Sequence, residues 1–133
     1  MAAVGDGRLR SFHALLATSY EEDGEAFPAF APWWSEVSSN SEFDPALCLA
    51  VFDPEGNIAA LAHCWSSGFL REIAVAREQR RRGLARALLL HLMALLRERG
   101  LTSLRLKVEQ GNRHGAEALY RSLGFRPEKK GES

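Results

Sequence analysis

Glu72-Ile73-Ala74-Val75-Ala76-Arg77-Glu78-Gln79-Arg80-Arg81-Arg82-Gly83-Leu84-Ala85-Arg86-Ala87-Leu88-Leu89 is the stretch on which the fold turns. Its first part closes a run, Phe69 to Ala76, that reads as a strand. Strand alternation predicts Leu70, Glu72 and Ala74 on one face and Arg71, Ile73 and Val75 on the other. From Gly83 to Arg99 the period changes to that of a helix: Leu84, Leu88, Leu92 and Leu95 form one stripe, widened by Ala85, Leu89, Met93 and Leu96. Gly100 suits the C-cap, with Arg97 and Arg99 in the last turn. Between strand and helix lies the polar connector Arg77 to Arg82.

A helix start exposes about four unpaired N–H groups at the positive end of its dipole. An anion can sit there without any side chain. Gly83 lets it approach the backbone, and Ala85 is small. Arg80, Arg81, Arg82 and Arg86 add positive charge. The simplest competing reading is a solvated basic cluster before an ordinary helix. Nucleic-acid binding is disfavoured, because 17 basic side chains balance 17 acidic ones and no aromatic platform accompanies the arginines.

The rest of the chain fits around this turn. Leu9, Phe12, Leu16 and Tyr20 mark a helix from Arg8 to Tyr20, ended by Glu21-Glu22-Asp23-Gly24. Pro32 suits the first turn of a second helix carrying Trp33, Trp34 and Val37. Leu47 to Phe52 and Ile58 to Trp65 read as a hairpin around Asp53-Pro54-Glu55-Gly56-Asn57. Leu101 to Val108 is predicted as a strand, and Asn112 to Leu123 as a helix stopped by Gly124. This order predicts an α/β (α+β) domain with a mixed sheet, and 133 residues suit one domain, residues 1–133.

Cys48 and Cys64 sit in apolar runs and read as buried free thiols. Met1 to Gly7 lacks the features of a signal peptide. Ala87 to Leu96 falls well short of the roughly 18 apolar residues of a membrane span. A cytoplasmic protein without membrane or nucleic-acid partners is the expectation. His13, His63, Cys64, His91 and His114 show no metal-ligand spacing, so no metal is expected.

Arg80-Arg81-Arg82-Gly83-Leu84-Ala85 matches the pattern Arg or Gln, two residues, Gly, one residue, Gly or Ala. Asn112-Arg113-His114-Gly115-Ala116 and Leu119-Tyr120-Arg121-Ser122-Leu123-Gly124-Phe125 follow in order. With Glu72-Ile73-Ala74-Val75 upstream, the chain resembles the GNAT N-acetyltransferase superfamily from about Phe43 to Pro127, by the element order of a mixed sheet. The resemblance implies a mostly antiparallel sheet flanked by helices, with acetyl-CoA as acyl donor. It implies direct attack of a primary amine, on a small molecule or a protein, upon the thioester. Main-chain groups of Ile73, Ala74 and Val75 would hold the pantetheine arm, and the amides of Arg81, Arg82, Gly83, Leu84, Ala85 and Arg86 the pyrophosphate. Asn112 would contact the pantetheine or nearby backbone, cap its helix, or do both.

For the chemistry, Tyr120 matches the family tyrosine that protonates the leaving thiolate; a core tyrosine with a wet hydroxyl is the plainer reading. Val75 N–H is a candidate oxyanion donor. Glu72 and Glu109 are the candidate bases, beside a water chain with no dedicated base. The ribosomal-protein branch of the family carries a glutamate where Lys107 stands, which sets this chain apart from that branch. Phe30, Trp33 and Trp34 form either core or an aromatic wall over the acceptor.

Both ends look short against the family. Met1 to Gly7 offers no clear first strand, and Arg126 to Ser133 is polar where a strand pair is usual. A homodimer partner covering the open edge is one expectation, impaired activity the other. A non-catalytic acyl-CoA-binding module is the alternative function; a small interaction domain without cofactor is the third.

Overall fold

The computed structural model describes residues 2–3, 8–106 and 116–125. The expected sites Lys107, Glu109 and Asn112 lie outside the described residues, as do the end of the strand expected to reach Val108 and the polar tail after Phe125.

A sheet of order β1-β2-β3-β4-β5 forms the centre. Its strands are β1 (Ala2–Ala3), β2 (Cys48–Phe52), β3 (Ile58–Cys64), β4 (Phe69–Val75) and β5 (Arg105–Leu106). The helices are α1 (Leu9–Glu22), α2 (Phe30–Ser39), α3 (Leu84–Glu98) and α4 (Ala116–Ser122). Pairing is antiparallel from β1 to β4, and β5 joins β4 in parallel. The expected mixed, mostly antiparallel sheet is therefore present. One correction concerns the N-terminal end: Ala2 and Ala3 pair with Ala50 and Leu49, so a short first strand exists where the composition suggested none.

Each face of the sheet has its own apolar layer. On one face Phe12, Leu15 and Leu16 of α1 and Trp33 and Val37 of α2 pack over Cys48, Ala50, Leu61 and Ala74. On the other, Leu88, Leu89, Leu92 and Leu96 of α3 cover Leu49, Ala60, Ala62 and Cys64. These four leucines are at most 2% exposed, each contributing about 2 kcal/mol of burial. They are the helical stripe of the sequence, turned so that Leu84 and Leu95 sit at its half-buried margin.

The β3–β4 ladder holds a second correction. Glu72 pairs with His63, but the next pair is Leu70 with Cys64, so Arg71 is an extra residue on β4. A bulge of this kind shifts the alternation by one. Leu70 therefore packs with the α3 layer, while Ala74 packs with the α1–α2 layer. Leu70, Glu72 and Ala74 do not share one face.

Gly68 sets up the β4–β5 pairing. Its φ is +95°, and its carbonyl accepts the Arg105 N–H at 2.8 Å. A Cβ here would lie 2.9 Å from the main-chain oxygen of Ser103. Gly68→Ala combines an unfavourable φ with a backbone clash, and a loss of about 2–3 kcal/mol is expected. Chemical denaturation should show the lower midpoint; an unchanged midpoint would mean that the 101–105 segment yields freely.

Candidate active site

The phosphate turn predicted from the sequence forms a helix start without a side-chain cap. Gly83 is the N-cap of α3 and adopts φ +76°. Its carbonyl accepts from Ala87 N–H at 3.0 Å, which begins the helical ladder. The N–H groups of Leu84, Ala85 and Arg86 precede that ladder and have no partner within it. No acidic residue occupies the first turn. Arg81 also adopts a positive φ, +66°, the one non-glycine residue to do so among the described residues. Such a conformation is costly for a long side chain and is characteristic of functional loops. A Cβ on Gly83 would meet nothing within 4 Å, so its φ, not crowding within the chain, calls for glycine.

The arginines do not act as one cluster. Arg81, Arg82 and Arg86 are exposed. Arg80 is turned inward: its Nε donates to the Val75 carbonyl at 3.2 Å, and its guanidinium bonds Glu22 of α1 at 2.5 Å. Arg77 reaches the same carboxylate at 3.7 Å. Arg80 thus fastens the turn to α1, while Arg81, Arg82 and Arg86 stay exposed.

The edge of β4 follows from its ladder with β3. Ala76 N–H donates to Ala59 O at 2.8 Å, so by alternation the polar groups of Ala74 also face β3. Those of Ile73 and Val75 point the other way. There, β5 pairs only with Phe69 and Leu70 among the described residues. Of the three expected backbone ligands, Ile73 and Val75 present edge groups and Ala74 does not. The Val75 carbonyl is already taken by Arg80.

Glu72 is 8% exposed on the α1–α2 side. The Tyr20 hydroxyl donates to its two carboxylate oxygens at 2.9 and 3.3 Å. Burial raises the Glu72 carboxyl above the usual range, only partly opposed by Tyr20 and Arg71. Burial and the neighbouring carboxylate also raise the Tyr20 phenol, so it stays a donor. No motif in the sequence marks Tyr20 as a site residue. Its one signal was position: it ends the buried stripe Leu9, Phe12, Leu16 with a polar-tipped side chain.

His63, opposite Glu72, is 1% exposed. Burial and the Arg71 charge lower its pKa to about 4. Unfolding releases the imidazole to its ordinary value near 6.5. The unfolded chain therefore binds the extra proton first as pH falls. The neutral-His63 contribution is complete above pH 6.5 and is lost progressively down to pH 4, by about 3 kcal/mol. Urea titrations of the wild type and His63→Phe should converge toward acid in the variant's favour; parallel pH curves would contradict this burial.

Tyr120 lies in the layer on the opposite side, 8% exposed and 5.7 Å from the Phe125 ring. Burial raises its phenol pKa, so it is protonated at neutral pH. The sheet separates it from Glu72; the β5 side of β4 is where the two faces meet. Two surface grooves are present, the second of them beside the connector that carries Arg77. One, of about 500 Å³, is lined by Met93, Leu101 and Phe125, and the other, of about 570 Å³, by Thr18, Asn57 and Arg77. Phe30, Trp33 and Trp34 pack with His13 and Phe43 in the α1–α2 layer, with Trp33 fully in the core. No group of three metal-binding side chains occurs among the described residues, and no helix there is long and apolar enough to cross a membrane.

A helix start without a side-chain cap adjoins a strand that β5 pairs only at Phe69 and Leu70 among the described residues, with a buried carboxylate on one side of that strand. The model of the acetyltransferase (GNAT) family matches residues 9–125. The [ribosomal protein bS18]-alanine N-acetyltransferase of Escherichia coli (strain K12) is 37% identical over 108 residues, covering 79% of this chain and 69% of that one. The crystal structure of the ribosomal-protein-S18-alanine N-acetyltransferase from Escherichia coli matches with a TM-score of 0.73 at 28% identity, covering 96% of this chain and 77% of that one. A GNAT-family acetyltransferase from Staphylococcus aureus shares the fold, with a TM-score of 0.78 at 13% identity over 98% of this chain and 86% of that one. The chain belongs to the GNAT acetyltransferase family and is an acyl-CoA-dependent acyltransferase. The likeness to a ribosomal-protein enzyme runs against the separation from that branch expected from Lys107.

Proposed function

We propose that this chain transfers the acetyl group of acetyl-CoA to the α-amine of a protein N-terminus, by direct attack of the amine on the thioester. The observation that carries the donor half is the α3 start, which lacks any side-chain cap while Gly83 and Arg81 both adopt positive φ. Free N–H groups and three exposed arginines suit a diphosphate. The edge groups of Ile73 and Val75 suit an amide-bearing arm, and Asn112 is proposed as a further contact. Acetyl-CoA would supply the electrophilic carbonyl and a thiolate leaving group.

The remaining work falls to this chain. Val75 N–H is proposed as oxyanion donor. Tyr120, kept protonated by burial, is proposed to give its proton to the departing sulfur. Glu72 is proposed as the base that takes the amine proton. Its burial favours this role, because a raised carboxyl pKa narrows the gap to the amine. The amine must be neutral to attack. Near pH 7.5 that costs a lysine about 4 kcal/mol and an α-amine under about 1 kcal/mol. The α-amine also agrees with the alanine N-acetyltransferase activity named for the 37% identical relative. On this reading residues 1–133 act as one domain.

The test uses two peptides, one with a free N-terminal alanine and one N-terminally blocked with an internal lysine. Acetyl-CoA at about 100 times its dissociation constant should stabilise the protein by about 2.7 kcal/mol. Thiol release should accompany the free α-amine and not the blocked peptide. Stabilisation without release from any amine would favour the non-catalytic acyl-CoA-binding module instead.

A further inference from the structure

His63 is unusual in more than its burial. Neither its Nδ1 nor its Nε2 has a hydrogen-bond partner among the described residues. A neutral imidazole carries one N–H donor and one acceptor nitrogen, so both functions are unmet. Each such group costs about 1–3 kcal/mol when left dry. Two more buried polar atoms without partners among the described residues belong to the same neighbourhood, Nε of Arg71 and Oε1 of Glu42.

Ring and backbone contacts join these residues. The His63 ring lies 4.6 Å from that of Trp65, and the Arg71 guanidinium lies 5.4 Å from the Trp65 ring. The Glu42 carbonyl accepts from Ser66 N–H at 2.9 Å, and the next residue, Phe43, has its ring 6.1 Å from His63. Arg71 is the bulged residue of β4, adjacent to Glu72, and Glu72 is the ladder partner of His63. Orphaned buried polar groups are few in native folds, and four of the five such atoms among the described residues gather here, the fifth being Nε1 of Trp33. Buried waters serve such groups, making about two to four hydrogen bonds each.

We propose that His63 is a positioning residue for Glu72: through one internal water it anchors the carboxylate that Tyr20 holds from α1, and so fixes how Glu72 meets the acceptor amine. The proposal rests on the reading of Glu72 as the base. His63 is not itself that base: its pKa, lowered to about 4, makes the neutral ring too weak a base to hold a proton taken from an amine. A neutral ring suits the anchoring role, since it can accept from a water at one nitrogen and donate at the other. The charged and titratable groups around the site are Tyr20 of α1, Glu25 after α1 (whose charge acts on Tyr20), Glu36 of α2 (paired with Arg71 at 3.6 Å), Glu42 of the following loop, and Arg71 and Glu72 of β4. The water contributes no proton on balance; the proton leaves the amine nitrogen and arrives on a Glu72 oxygen.

A high-resolution crystal structure of the wild type is the first test. An ordered water within hydrogen-bond distance of a His63 nitrogen and a Glu72 oxygen is expected, and a dry site overturns the proposal. Kinetics supply the second test. His63→Phe keeps a ring and removes both nitrogens. It should lower kcat about tenfold, leave KM for acetyl-CoA unchanged, and displace the acid limb of the pH profile. His63→Gln, which keeps a donor and an acceptor, should restore that limb. Wild-type kinetics in His63→Phe would overturn the proposal, and if that variant fails to fold, the crystallographic water decides. The underlying reading fails separately: full activity of Glu72→Gln would remove the base, whereas a dry site beside an inactive Glu72→Gln would remove only the role of His63.

Discussion

Glu72→Gln is expected to lower kcat/KM for acetyl transfer by about 10²–10³-fold while the protein stays folded. The side chain keeps its size, and its amide oxygen can still accept from the Tyr20 hydroxyl that now bonds the carboxylate at 2.9 Å. What is lost is the ability to take a proton. The sign of the stability change sharpens the test. Burial raises the folded carboxyl pKa above its unfolded value. Between the two values the folded state binds more protons than the unfolded state, so stability falls as pH rises through that window. The wild type therefore carries the cost of a buried carboxylate at neutral pH, and Glu72→Gln escapes it. The variant should melt as high as the wild type or higher near pH 7.5, and the advantage should vanish below about pH 4. An inactive, equally stable protein would support the catalytic role. Activity within threefold of wild type would return the base to Glu109 or to a water chain.

Gly83→Asp should have the second large effect, on the donor side. Nothing lies within 4 Å of a Cβ at this position, and aspartate tolerates the left-handed region better than most residues. The protein should fold with a loss of about 1 kcal/mol. The new carboxylate would stand beside the free N–H groups of Leu84, Ala85 and Arg86, where it competes with a diphosphate and repels it. Affinity for acetyl-CoA should drop about 100-fold, read as loss of the thermal shift. Gly83→Ala separates the two causes, since it carries the φ penalty without the charge. If both variants bind acetyl-CoA as the wild type does, the α3 start is not the pyrophosphate site.

Several elements were legible because their causes are local. The leucine stripe of α3 encodes a helix with one buried face, and α3 has that face. Asp53 encodes a turn through its own side chain, whose Oδ1 accepts from the N–H groups of Glu55 at 3.0 Å and Asn57 at 2.8 Å. Strand alternation in β4 was legible only until Arg71, because a bulge is set by the partner strand and leaves no local mark. Arg80 reads as one of four equal arginines, with Arg81, Arg82 and Arg86. Its side chain is spent on Glu22, 58 residues away, and on the Val75 carbonyl. The exposed trio Arg81, Arg82 and Arg86 could not be told from it without the path of the backbone.

The sequence by itself determined the order of strands and helices from α1 onward, the α3 stripe and a helix start at Gly83. These depend on periodicity and on backbone freedom, which act over a few residues. Only the tertiary structure decided which groups the turn presents and what surrounds Glu72. The β3–β4 register sends the polar groups of Ile73 and Val75, but not Ala74, toward the side of β4 away from β3. The packing of α1 on the sheet brings Tyr20 onto a carboxylate 52 residues away, and the β3–β4 register sets Glu72 and His63 side by side just before the bulge at Arg71. Such pairings arise from burial shared by distant segments, so no stretch of the chain announces them alone.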